Sequence, residues 1–301
     1  MALLKCLSCG NAPLAADSAG FRCESCGRKY PVVREVARFV DRSGYAGSFG
    51  FQWTRFARVQ LDSASGTTRS RDTFVTKTGW STADLRGERI LDAGCGMGRF
   101  TEVCAEAGAE VHAIDLSEAV EVAAQNLGDR ENAHFYQADI FGLPFKDGSF
   151  DRVFSIGVIH HTPDTKAAFL ELVRLVRPGG RIAIWVYSTE LRTFIGSELL
   201  RPLTSRLPRN LMLQAAKIAI PLYYVHRLPL IGRVTSKLLP TSVEPNPTWR
   251  WLDTFDWYTP RFQWKHTNEE VVSWFEEAGL TEVRVGDFPV SVSGRKPTRP
   301  S

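Results

Sequence analysis

Arg89-Ile90-Leu91-Asp92-Ala93-Gly94-Cys95-Gly96-Met97-Gly98-Arg99-Phe100 is the stretch whose reading decides the fold. An apolar run through Ile90 and Leu91 reads as a buried parallel strand, and three glycines then interrupt it. The pattern resumes with helical spacing through Phe100, Val103, Cys104 and Ala107. A strand, a glycine turn and a helix N-terminus bring backbone N–H groups close to a small ligand. Spacing narrows the ligand. A dinucleotide fingerprint requires glycine at its sixth position, behind a pyrophosphate. Here that position is Arg99, so the loop suits a ligand without a diphosphate.

The next strands follow at regular intervals. Glu110 to Asp115 ends in an acid placed to grip ribose hydroxyls. A helix with Ala119, Val122 and Ala123 on one face ends near Leu127-Gly128, and Ala133 to Asp139 is a third strand that also closes on an acid. Leu143-Pro144-Phe145 turns into a fourth strand, Phe150 to Gly157. Phe169, Leu172, Val173 and Val176 make a helical stripe stopped by Arg177-Pro178-Gly179-Gly180, and Arg181 to Tyr187 is a fifth strand. Glu269 to Ala278 reads as a helix, with Thr281 to Val285 and Phe288 to Val292 as the last two strands.

The glycine stretch resembles motif I of class I S-adenosylmethionine (SAM)-dependent methyltransferases, in its LDxGCGxG form, and the chain as a whole looks like a type 11-like member. The resemblance implies an α/β, Rossmann-like sandwich with a seven-stranded, mostly parallel sheet. It further implies a SAM site built from Asp92, Gly94, Gly96 and Gly98, with Asp115 and Leu116 at the ribose. In the same family, Asp139 accepts from the adenine amino group while the N–H of Ile140 reads a ring nitrogen, and Ser155 closes the set. The segment before the first core strand commonly folds over the cofactor there. Gln52 and Trp53, within Ser48-Phe49-Gly50-Phe51-Gln52-Trp53, are the candidates to do so, an aromatic face being suited to a sulfonium; packing against the core is the other reading. Val158-Ile159-His160-His161-Thr162-Pro163-Asp164 follows strand four, where ligands of open α/β sheets bind. His160 or His161 there can serve as a general base, or can simply shape the pocket.

Six cysteines are present, and four of them form Cys6-Leu7-Ser8-Cys9 and Cys23-Glu24-Ser25-Cys26. Paired knuckles of this spacing offer Zn²⁺ a closed tetrahedral thiolate shell, structural rather than catalytic; redox dithiols are the alternative. Gly10 and Gly27 follow the second cysteine of each pair, where a tight turn favours φ > 0. With Tyr30-Pro31-Val32-Val33, Val36 and Phe39-Val40, the segment resembles the zinc ribbon of the tRNA-methyltransferase activator family. That likeness implies a docking or stabilising module fused in cis.

The chain of 301 residues has a net charge of +4, too small to announce a nucleic-acid binder. Between Ser188 and His266, however, eleven Lys/Arg face five Asp/Glu, and half of the sixteen prolines lie there. Ile195–Leu203 and Leu211–Ile220 have helical apolar spacing. Such an insertion after strand five is expected to be the acceptor lid, suited to an amphiphilic or anionic acceptor or to a membrane surface. Phe255 to His266 concentrates aromatics beside Tyr258, Arg261 and His266, a composition that can wall a water-poor pocket. Tyr258 and His266 join the two loop histidines as catalytic candidates. No apolar run reaches the roughly eighteen residues of a membrane span. With a cysteine pair directly after Met1–Leu4, a signal peptide is not expected, and reduced thiols suit a cytoplasmic protein.

The expected layout is a zinc ribbon over 1–42, a linker and helical cap over 43–86, and a SAM-binding core over 87–187. An acceptor-side insertion over 188–266, the rest of the core over 267–294 and a tail over 295–301 complete it. The expected activity is methyl transfer from SAM to a small-molecule acceptor: a sugar, quinone, polyketide or lipid-like intermediate. RNA or protein of the translation machinery is the alternative acceptor class. Against it stand the modest charge and the absence of an N-P-P-[YF] motif after strand four, which reads Gly157-Val158-Ile159-His160.

Overall fold

The computed structural model describes residues 3–10, 14–40, 50, 52–53, 55–189 and 195–298. Ser48, Phe49 and Phe51 of the proposed cofactor cover lie outside the described residues, as do the last three of the tail. The described residues divide into two compact units, 1–188 with 264–301, and 189–263.

The first unit is built on parallel strands β5 (Arg89–Ala93), β6 (Glu110–Asp115), β7 (Ala133–Gln137), β8 (Phe150–Ile156) and β9 (Val176–Trp185). Two antiparallel strands, β10 (Thr281–Val285) and β11 (Ser291–Arg295), extend one side. The near-continuous apolar runs follow from burial on both faces. With a period of two, Ile90, Val111 and Phe154 point into one layer and Leu91, Ile114 and Val153 into the other. Helices α1 (Arg69–Thr78) and α2 (Arg99–Glu106) cover the first face, and α3 (Ala119–Leu127) covers its margin. On the opposite face lie α4 (Thr165–Leu175) and the helix Asn268–Glu277.

The sheet has eleven strands rather than seven. Strands β1 (Ala15–Asp17), β2 (Gly20–Arg22), β3 (Lys29–Val33) and β4 (Val36–Arg38) of the cysteine-bearing segment continue it, in the order β1-β2-β3-β4-β7-β6-β5-β8-β9-β11-β10. Strand β4 pairs in parallel with β7, matching Val36 with Phe135 and Arg38 with Gln137. Arg38 and Arg34 both pair with Glu121 of α3, and the Phe39 ring lies 6.4 Å from that of Tyr136. The cysteine-bearing segment is therefore an edge of the core sheet, where a parallel strand of the core would otherwise be left open.

Two sequence boundaries shift. Val176 opens β9 instead of closing the preceding helix, and Arg177-Pro178-Gly179-Gly180 is a bulge: Phe150 pairs with Val176 but Arg152 pairs with Arg181. A Cβ on Gly180 would come within 2.7 Å of the Asp151 carbonyl, so the chain approach itself requires glycine. The last strand begins at Ser291, not Phe288, because Gly286 N–H donates to Ser291 O at 2.9 Å and closes a turn first.

The second unit is helical: α5 (Ile195–Thr204), α6 (Arg209–Ala215), α7 (Ala219–His226), α8 (Ile231–Leu238) and α9 (Pro247–Tyr258). Helix α9 is its centre, with Trp249, Leu252, Phe255 and Tyr258 buried. Asn246 caps it by accepting from the N–H groups of Thr248 and Trp249, and Pro247 takes the first turn. Arg250 is buried there without a carboxylate partner among the described residues. Its guanidinium donates to the carbonyls of Glu244, Pro245 and Ile220 and lies over the Tyr223 ring at 3.7 Å. No described helix is long and apolar enough to cross a membrane.

Candidate functional site

The four cysteine sulfurs of the ribbon lie within 4.8 Å of one another, with Cys6–Cys26 at 3.6 Å and Cys9–Cys23 at 3.5 Å. A tetrahedron with metal–sulfur bonds of about 2.3 Å has edges near 3.8 Å, so the donor set fits Zn²⁺. The separations are far beyond a disulfide, about 2.05 Å. Both knuckles close identically: Gly10 N–H donates to Cys6 O and Gly27 N–H to Cys23 O, each at 2.9 Å and each with φ near +73°. Tyr30 fixes the cluster from below, its hydroxyl 3.3 Å from Cys6 Sγ while accepting from Leu7 N–H.

At the carboxyl ends of β5 and β6 the glycine loop folds back on the sheet. Gly94 and Cys95 N–H both donate to Ile114 O at 2.8 Å. Each glycine meets a different neighbour. A Cβ on Gly94 would lie 2.4 Å from Val158, on Gly98 2.8 Å from Leu127, and on Gly96 3.1 Å from the indole nitrogen of Trp53. The loop is thus pressed between the segment after β8, helix α3 and the aromatic residue expected to close over it.

Asp115 organises this loop. Its Oδ2 accepts from Gly96 N–H at 3.0 Å, and its Oδ1 accepts from Ser117 N–H and Oγ–H at 2.8 and 2.7 Å. Leu116 is half-buried, and its carbonyl accepts from Gln137 Nε2. Asp139 stands beyond the end of β7 and caps the turn Ile140–Gly142 by accepting from Phe141 N–H. Ile140 is buried, and Ser155 Oγ–H is committed to Ala93 O at 2.8 Å. Gln52 is buried with its Oε1 lacking a hydrogen-bond partner among the described residues. A buried acceptor next in sequence to Trp53, which meets Gly96, fits a polar ligand.

Asp92 lies beneath the loop, buried, and accepts from Thr101 Oγ–H at 2.7 Å. Burial pushes its carboxyl up to about 7, against the Thr101 bond and with some help from the Asp115 charge. Between the ordinary value of 3.8 and about 7, the folded protein holds a proton that the unfolded chain has released. Stability therefore falls as pH rises through that window, by at most ~4 kcal/mol. Asp92→Asn keeps an acceptor for Thr101 and removes the charge. Calorimetry of the ligand-free protein should show a larger rise in Tm at about pH 8 than at about pH 5. Equal shifts would mean that the ionised carboxylate carries no burial cost.

The loop after β8 gathers the histidines. His160 is fully buried, with neither ring nitrogen hydrogen-bonded among the described residues. Its ring lies 4.0 Å from Tyr187, 4.1 Å from His161 and 6.2 Å from Trp185. Burial first, then the neighbouring His161, His266 and Lys77, hold it well below the usual imidazole value, so it is neutral at physiological pH. The returning chain clamps this loop: Trp264 N–H donates to His160 O, Trp264 Nε1–H to Thr162 O, and His266 N–H to Tyr187 O. His266 itself sits with Nε2 3.1 Å from Thr165 Oγ1 and Nδ1 3.0 Å from Glu270.

Tyr258 is the catalytic candidate that lies apart from the loop histidines in the chain's division into units. It belongs to α9 of the helical unit, where its hydroxyl donates to Pro240 O at 2.8 Å and burial pushes the phenol up to about 12. The aromatic run 255–266 is correspondingly divided, Phe255 to Tyr258 in one unit and Trp264 to His266 in the other. Arg261 is exposed beside the Phe262 ring.

Several residues at the site belong to no sequence motif. Trp185 and Tyr187 face the histidines, and Lys77 lies 3.2 Å over the Trp185 ring. The available signal is period two, aromatics two apart at the carboxyl end of a strand. Buried Glu102 anchors the preceding segment by accepting from Asp62 N–H and Ser63 Oγ–H, and Asp62 in turn caps α1 through Ser70 and Arg71 N–H. At the opposite end of the strands a cavity of about 510 Å³ is walled by Arg89, Glu110, His112 and His134. Glu110 is paired with Arg89 there, and burial pushes His112 down to about 3.

Residues 91–184 match the family model of a methyltransferase domain. Demethylmenaquinone methyltransferase of Clavibacter sepedonicus is 39% identical over 108 residues, 36% of this chain and 44% of that protein. Malonyl-acyl-carrier-protein O-methyltransferase of Pseudescherichia vulneris is 35% identical over 144 residues, 48% of this chain and 53% of that protein. The chain spans about half the length of the curated relatives it matches. Among solved structures, magnesium protoporphyrin IX methyltransferase of Synechocystis PCC 6803 aligns over 84% of this chain and 96% of its own, at 20% identity and a TM-score of 0.46.

Proposed function

We propose that this protein is a SAM-dependent methyltransferase acting on a small-molecule acceptor, and that its ribbon holds a structural Zn²⁺. The observation that carries the first part is the glycine loop, bonded through Gly96 to Asp115 and followed by Arg99 where a diphosphate would need glycine. The match of residues 91–184 to a methyltransferase domain supports it. Curated relatives named for quinone and acyl-carrier substrates support a small acceptor of the sugar, quinone, polyketide or lipid-like kind. When bound, SAM supplies a methyl group already activated on a sulfonium.

The chain's own residues then bind, orient and exclude water. Asp115 would hold the ribose hydroxyls, Asp139 and Ile140 the adenine edge, and Gln52 with Trp53 the near side of the loop. His160, with both nitrogens unengaged by described residues, is the group assigned to take a proton from an acceptor hydroxyl as that oxygen takes the methyl group, a step that has to overcome the burial that holds the ring neutral. His161, Tyr187 and the Trp264–His266 return hold that ring in place. His160→Ala is expected to lower kcat by about a hundredfold or more while leaving the SAM Kd unchanged. Full turnover in that variant would remove the base from His160.

The deciding experiment supplies the purified protein and cell extract with methyl-labelled SAM and identifies the labelled product by mass spectrometry. Label in the small-molecule fraction is expected. Label in RNA or protein would overturn the acceptor class, and NAD binding without SAM binding would overturn the reading of the loop.

A further inference from the structure

Between residues 199 and 243 the chain carries seven lysines and arginines and no aspartate or glutamate, in a protein that otherwise nearly balances them, 37 to 33 overall. The same stretch holds twelve of the twenty-one large apolar side chains exposed among the described residues. Charge and apolar exposure thus fall in the same stretch of the helical unit.

Helix α8 shows how the unit is built to present them. Ile231, Val234 and Leu238 recur at i, i+3 and i+7, and all three are exposed, Leu238 at 71%. Ordinarily such a stripe faces a core. Here the buried position of α8 is Gly232, where a Cβ would come within 2.1 Å of the His226 carbonyl. The glycine side presses against the end of α7, and the stripe lies roughly opposite it, toward solvent. Leu230, 74% exposed, extends the stripe into the preceding turn, and Arg233 and Lys237 stand on the same helix. The neighbouring helix α5 exposes Leu199 and Leu203, one turn apart.

We propose that this face docks on an anionic lipid bilayer, with the aliphatic stripes of α5 and α8 entering the headgroup region and the cations meeting lipid phosphates. Short amphipathic helices lie in the interface without spanning it, and no described helix of this chain spans. Each cation near an anionic surface strengthens binding about fivefold. Nucleic acid would use the same cations but gains nothing from exposed leucine, isoleucine and valine; single strands are held by aromatic stacking. The inference is independent of methyl transfer.

Cosedimentation of the full chain with vesicles of phosphatidylcholine, with and without phosphatidylglycerol, tests it. Binding is expected on the anionic vesicles and should decline as salt rises. Arg233→Ser with Lys237→Ser should weaken that binding by about 25-fold. Val234→Asp with Leu238→Asp should weaken it by about tenfold or more. All four side chains are on the surface helix, and unchanged circular dichroism and Tm would establish that the variants fold. Equal sedimentation with and without phosphatidylglycerol, or undiminished binding in both variants, would overturn the proposal. So would retention on tRNA that anionic vesicles fail to displace.

Discussion

Asp115→Ala is expected to weaken SAM binding by about a hundredfold or more. An ionised carboxylate that accepts from two ribose hydroxyls contributes ~1.5–3 kcal/mol through each bond, and about 1.4 kcal/mol is a factor of ten. The substitution also removes the acceptor that holds Gly96 N–H at 3.0 Å, so the loop loses its preformed shape along with the ligand contact. Asp115→Asn separates the two effects. It retains an acceptor for Gly96 or Ser117 but not the charge, and should lose about tenfold. Titration calorimetry with SAM, and with NAD as a control, gives both numbers. Affinity unchanged in the alanine variant would mean that Asp115 only shapes the loop.

The second large effect is loss of metal. The ribbon's own strands are three to five residues long, too short to bury a core of their own. Structural zinc supplies ~10–16 kcal/mol to isolated finger peptides. Here part of the ribbon's stability comes from β4 on β7 and from Arg38 on Glu121, so the loss should be smaller. A loss of ~4 kcal/mol would lower Tm by about 10 °C. Chelation, or Cys23→Ser at the buried end of the cluster, should produce that shift, and metal analysis should find zinc in the untreated protein. The consequence reaches past the ribbon, because unpairing β4 opens the β7 edge and uncovers Phe39 and Tyr136. A protein free of zinc whose Tm ignores chelator would return the cysteines to the dithiol reading.

How much of this was legible beforehand depended on the range of the interaction. The glycine loop and the cysteine knuckles are decided by residues a few positions apart, and their spacing marks them without any tertiary knowledge. The histidines after β8 were placed by a topological rule about strand ends. The bulge at Pro178–Gly180 reads in sequence as a helix stop, since proline and glycine signal a break but not which partner strand absorbs it. Residues 255–266 looked like one pocket because composition carries no information about where a chain crosses from one unit to another.

Local pattern by itself determined the parallel core strands, the glycine loop and the paired cysteine knuckles, because each is set by sterics or by residue spacing within a short segment. Only the tertiary structure decided that the ribbon continues the sheet through β4 and β7, that Tyr187 and the 264–266 return enclose His160, and that Tyr258 spends its proton on Pro240. Those contacts join residues from 18 to 104 positions apart. Which long-range partner a strand edge, a ring or a hydroxyl meets is settled by the packing of the whole chain.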